Sequence, residues 1–184
     1  MRIIAGRFRG TALAVLGKGD AGAHLRPTSD RVRESLFSML THRNVIQGAR
    51  VLDLFAGTGA LGLEALSRGA RDVCFVENGS TGQRLITQNI EKLRVADEAT
   101  LMRKDATRLG AWPHTPFDLV FLDPPYGKGM GEGALAAANA GGWLAADATI
   151  VWEENAQMHA PAGFTPQDSR RFGDTHVTIL TRGS

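Results

Sequence analysis

The stretch Val51-Leu-Asp-Leu-Phe-Ala-Gly57-Thr-Gly59-Ala-Leu-Gly62 decides the fold. An apolar run leaves a strand, three glycines follow, and an apolar helix opens, so the segment fits the G-x-G-x-x-G loop of nucleotide-binding α/β folds. From residue 51 onward strand and helix alternate. Strands are predicted over 51–55, 73–77, 100–103, 117–122 and 149–153, and helices over 60–68, 80–94 and 131–140. Arg170–Phe172 and His176–Thr181 flank the turn signal Gly173-Asp174 and read as a terminal hairpin. This order implies a mostly parallel, Rossmann-like sheet with helices on both faces.

Before the loop, residues 2–16 read as a β-hairpin punctuated by Gly6 and Gly10, with Arg7 and Arg9 on one face and Phe8 on the other. Residues 17–25 are Gly-rich loop. Thr28, Ser29 or Asp30 caps a helix whose Val32, Leu36, Phe37 and Leu40 form a buried stripe. One domain over 1–184 is expected, with 1–25 as a basic extension and 26–184 as the core.

Composition is that of a globular protein, 43% apolar and 22% charged. No apolar run reaches the ~20 residues of a membrane helix. No signal peptide is apparent, and with one cysteine, Cys74, a reducing cytoplasm is expected. The five histidines lack metal-ligand spacing, so no metal is expected. The net charge of +2 hides an asymmetry: residues 1–50 sum to +6 and the remainder to −4. A basic end on an acidic body points to a polyanionic partner.

The loop alone suits either a dinucleotide or S-adenosylmethionine (SAM). Asp53, near the carboxyl end of its strand, favours SAM, because a buried carboxylate repels pyrophosphate and is stabilised by an ammonium and a sulfonium. Glu77 can accept from ribose hydroxyls. Asp105 can accept from an adenine amino group, with the Ala106 N–H near a ring nitrogen. On the same rim stands Asp123-Pro124-Pro125-Tyr126. Two prolines fix φ and leave carbonyls as acceptors. Asp123 and the Pro124 carbonyl can hold both protons of an exocyclic amine, and Tyr126 offers a face for stacking the base. Glu153 ends the fifth strand on this rim, where a structural role suffices.

The tetrad and the Asp53–Gly59 loop resemble those of amino-methyltransferases. More of the chain is similar to the bacterial 16S rRNA guanine-N2 methyltransferases acting on guanine 966: Arg2–Gly10, Arg26-Pro-Thr-Ser-Asp-Arg-Val-Arg-Glu-Ser-Leu-Phe37, Leu52–Gly69, Phe121–Tyr126 and Gly142-Trp-Leu144 carry the pattern. The resemblance implies a seven-stranded SAM-methyltransferase sheet whose last strand is antiparallel. It implies SAM contacts from Asp53, Gly57, Gly59, Glu77, Asn78, Asp105 and Ala106, with Thr28 at the methionine end. Catalysis falls to Asp123, Pro124 and Tyr126. The expected partner is 16S rRNA in the small ribosomal subunit, touched by Arg2, Arg7, Arg9, Arg26, Arg31, Arg33 and Lys128, and the chain is expected to act as a monomer. The tetrad alone leaves adenine N6 open as the target, and a non-catalytic RNA-binding assembly factor is the alternative of another class.

Overall fold

The computed structural model describes residues 1–17 and 27–184; Arg26 and most of the Gly-rich loop lie outside the described residues. Helix α1 spans Asp30–His42, followed by β1 (Arg50–Leu54), α2 (Ala60–Ser67), β2 (Asp72–Val76), α3 (Ser80–Leu93) and β3 (Ala99–Met102). A 3-10 turn at Ala106–Arg108 leads to β4 (Phe117–Leu122), α4 (Met130–Ala140), β5 (Leu144–Glu154), β6 (Phe164–Phe172) and β7 (Thr175–Arg182).

One seven-stranded sheet has the order β3-β2-β1-β4-β5-β7-β6. Strands β1 to β5 are parallel, and β7 runs antiparallel between β5 and β6. The order reverses between β1 and β4, which is where open α/β sheets place their ligand crevice. Leu36, Phe37, Leu63, Leu66 and Ile86 carry α1, α2 and α3 onto one face. Ala134, Leu135 and Ala138 pack α4 against Trp143, Trp152 and Leu54 on the other. Gly62 lets α2 lie close to the sheet: a Cβ there would stand 2.6 Å from the Phe75 ring.

Three expectations change. Residues 2–16 form no strand pair; a single bridge joins Arg2 to Ala12. Around that bridge the Ile3 N–H donates to the Thr11 carbonyl and the Leu13 N–H to the Met1 carbonyl, but the N–H groups that would extend the ladder go elsewhere. Those of Ile4 and Ala5 donate to the Glu64 carboxylate, that of Phe8 to the Ser67 hydroxyl, and that of Arg7 to the Ser67 carbonyl. The segment is therefore a strap bound to α2. Strand β5 begins five residues earlier than expected, at Leu144, and carries a register irregularity before Thr149 in which Asp147 takes φ 62°. Strand β6 begins at Phe164, six residues early. It is an edge strand with an irregularity at Pro166, which broke the alternating signal.

Candidate active site

Ser29 caps α1, its hydroxyl accepting from the Val32 N–H at 3.3 Å. This sets Thr28 just before the helix, facing the ends of β4 and β5. The β1–α2 loop turns through three left-handed residues, Phe55 (φ 58°), Gly57 (φ 59°) and Gly59 (φ 80°). A left-handed Phe is a costly conformation, and such strain concentrates at functional loops. The loop opens onto a cavity of about 420 Å³, a size that suits a small-molecule cofactor.

Asp53, Gly57, Glu77, Asn78, Thr28, Asp123, Pro124, Tyr126 and Lys128 line this cavity, so most of the predicted cofactor and catalytic residues meet there. Asp53 is buried, and its Oδ2 accepts from the Gly62 N–H at 2.9 Å. Burial raises its pKa well above the usual carboxylate range; the Gly62 hydrogen bond opposes this, while Glu77 and Glu153 add to it. Glu77 grips the loop: its two oxygens accept from the Gly57 and Gly79 N–H groups, each at 2.8 Å. Each oxygen keeps a lone pair for a ligand hydroxyl.

Asp123 is held well above its ordinary pKa by burial first, then by Glu153, Asp53 and Glu154. The Tyr126 hydroxyl lies 3.4 Å from Thr175 Oγ1 on β7, which anchors the ring at the cavity edge, and burial raises its pKa. Glu153 is 2% exposed, and the Thr28 hydroxyl reaches its two oxygens at 3.3 and 3.1 Å. Burial pushes the Glu153 carboxyl up to about 7.

Gly59, Asp105 and Ala106 do not line the cavity. Asp105 caps the 3-10 turn, its Oδ1 accepting from the Thr107 N–H (2.8 Å) and hydroxyl (2.7 Å), and these bonds hold its pKa low. Ala106 is buried. Met1, Phe55 and Met130 line the cavity without having been expected there. Met1 arrives because the strap folds back over the loop, its sulfur 3.9 Å from Thr58 Oγ1; nothing local in the sequence signals it.

Among the cationic residues, Arg33 requires correction. It is fully buried, bonded to Asp30, Glu64 and the Arg2 carbonyl, so it cannot dock RNA. It stands three and four residues before Leu36 and Phe37, on the buried stripe itself, and that spacing was the available signal. Arg2, Arg9, Arg31 and Lys128 are exposed. Arg7 pairs with Glu98 at 2.6 Å and stacks over Phe8, near the end of α2 remote from the cavity. Among the described residues no group of three or more His, Cys, Asp or Glu is placed to hold a metal.

Residues 1–181 match the family described as Conserved hypothetical protein 95. The chain is 39% identical, over 99% of its length and 90% of the relative's, to ribosomal RNA small subunit methyltransferase D of Escherichia coli K12. It superposes on the solved structure of yhhF from Escherichia coli with a TM-score of 0.84 and 34% identity, covering 100% of this chain and 98% of that one. A magnesium protoporphyrin IX methyltransferase from Synechocystis PCC 6803, solved with bound SAM, shares the fold alone. Its identity is 15% and its TM-score 0.64, over 88% of this chain and 89% of that one.

Proposed function

The chain belongs to the family of ribosomal RNA small subunit methyltransferase D, and we propose that it uses SAM to methylate the exocyclic N2 amine of a guanine in 16S rRNA. One observation carries the choice of cofactor. Asp53, Glu77 and Asp123 line the cavity with Glu153 behind them; Arg33 lines it too but is spent on Asp30 and Glu64, Lys128 lines it as well, and among the described residues no ion pair reaches any of the four acids. Such a wall repels the phosphates of a dinucleotide and fits a ligand carrying an ammonium and a sulfonium.

Glu77 and Asn78 hold the nucleoside end, and Asp53 and Thr28 the cationic methionine end. When bound, SAM supplies an electrophilic methyl group. Asp123 and the Pro124 carbonyl accept both N–H bonds of the target amine and aim its lone pair, which is a positioning effect. Pro124 and Pro125 bring no N–H of their own to compete. Tyr126 stacks the base, worth about 1–3 kcal/mol. A base inside a duplex cannot present its amine to the site, so the target enters unpaired or flipped out. Lys128, which lines the cavity, and the exposed Arg2, Arg9 and Arg31 supply phosphate contacts. A short chain with one small basic arm has little surface for reading naked RNA, which favours a small ribosomal subunit or an assembly intermediate as substrate. The enzyme then acts in the cytoplasm, as a monomer.

The test is methyl transfer to small subunits and to free 16S rRNA from cells lacking the enzyme, with the product nucleoside identified by mass spectrometry. N2-methylguanosine, formed faster on subunits, is expected. N6-methyladenosine, or no methylated nucleoside on either substrate, would overturn the reading.

A further inference from the structure

Two carboxyls meet where β4 and β5 end. Phe121 pairs with Val151 and Leu122 with Trp152, so one step further sets Asp123 beside Glu153. Strand alternation points both side chains to the α1 face. Asp123 lines the cavity, whereas Glu153 lies behind it, 2% exposed.

The cations nearest this pair, Arg33, Lys128 and the Met1 amine, line the cavity, but among the described residues none is paired with Glu153. Asp53 approaches from β1 and Asp123 from β4. Thr28 reaches it from the segment before α1, and Val177 of β7 is its apolar register partner. The neighbouring Glu154 spends Oε1 on the N–H groups of Gly127 and Asn155. Among the described residues no cation is paired with either carboxyl. Two adjacent carboxyls, Glu153 buried and Asp123 half-buried, with no cation paired to either share a proton, because the doubly ionised state is the costly one.

We propose, on the methyltransferase reading, that Glu153 is a positioning residue which takes over this shared proton, so that Asp123 faces the target amine as a carboxylate. The asymmetry of the pair supports the assignment. A cation in the cavity lies next to Asp123 and draws the negative charge there, while Thr28 can donate to an ionised Glu153 or accept from a protonated one. The high pKa of Glu153, about 7, agrees with a group that stores a proton near neutrality.

The step then balances. The amine nitrogen forms an N–C bond as the S–C bond breaks and sulfur keeps that electron pair. One N–H bond breaks, its electrons stay on nitrogen, and the proton passes to Asp123. The pair, now carrying two protons, returns one to water.

The test follows the Asp123 and Glu153 carboxyl carbons by carbon-13 NMR across pH in the free protein, alongside the pH profile of kcat. Glu153→Gln should lower the Asp123 midpoint by about one pH unit or more, and the rising limb of kcat should move to lower pH with it. Thr28→Val should raise the Glu153 midpoint. A uniform fall in kcat with an unmoved Asp123 midpoint would make Glu153 merely structural. An unmoved Glu153 midpoint in Thr28→Val would also overturn the assignment. Coupled titration in a wild-type protein that methylates no guanine would overturn the methyltransferase reading, and the assignment with it.

Discussion

Glu64→Gln should destabilise the protein by about 3–5 kcal/mol, the usual cost of breaking a buried ion pair from one side. Glu64 sits inside α2, fully buried, and its carboxylate receives the N–H groups of Ile4 (2.9 Å) and Ala5 (3.1 Å), Arg68 Nε (2.9 Å) and an Arg33 terminal nitrogen (3.5 Å). The other carboxylate of Arg33, that of Asp30, is 54% exposed and therefore screened by water. Neutralising Glu64 thus strands a guanidinium whose Nε already has no partner. For a chain of this length each kcal/mol shifts Tm by about 2–4 °C, so a fall of about 6–20 °C is expected by calorimetry. Hydrogen exchange at Ile4 and Ala5 should speed up before that at β1. Arg33→Met in the same chain removes the stranded charge and should recover part of the loss. A Tm within about 2 °C of wild type, or a double variant as unstable as the two losses added, would refute the reasoning.

Asp123→Ala should abolish methyl transfer while SAM binding, read by calorimetry, persists; full activity would remove Asp123 from the chemistry. Tyr126→Ala should weaken engagement of the substrate RNA by about 5- to 150-fold, the equivalent of one lost stack, with SAM affinity nearly unchanged; a larger effect on SAM would place the ring on the cofactor instead. The raised pKa values of Glu153, Asp53 and Asp123 favour their protonated forms in the folded state. Their stabilising contribution is therefore complete below the ordinary carboxylate range and is lost as pH rises through about 7 for Glu153. Urea midpoints of the free protein should fall between pH 5.5 and 8, and saturating SAM should reduce that fall; a midpoint rising over this range would contradict it.

What could be read from the sequence was what rests on local pattern. Phe117–Leu122 was bounded correctly because an apolar run stops at Asp123 and two prolines. The glycine loop placed Asp53 and the tetrad on one rim because parallel strands end on the same side. Three things rested on distant partners. The strap depends on Glu64 and Ser67, some sixty residues away, so its residues look like a hairpin whose ladder stops at one bridge. The register of β6 depends on β7, and Pro166 hides it. Glu153 gains meaning only beside Asp123 and Thr28, which three separate segments bring together. Asp105 shows the opposite case: a strand-end acid in the expected place whose carboxylate is bound to its own turn.

The strap has a practical consequence for handling the protein. Met1 lies in the wall of the cavity, and Asn89 ties Ala14 to the Thr58 carbonyl of the glycine loop. Residues placed before Met1 therefore start at the wall of that cavity. An affinity tag there would crowd the substrate without touching any catalytic group, and could pass for a catalytic defect. At Arg182 the chain leaves at the end of the strands opposite the active rim, because β7 runs antiparallel to β5. A tag or fluorophore fixed there leaves the opening clear.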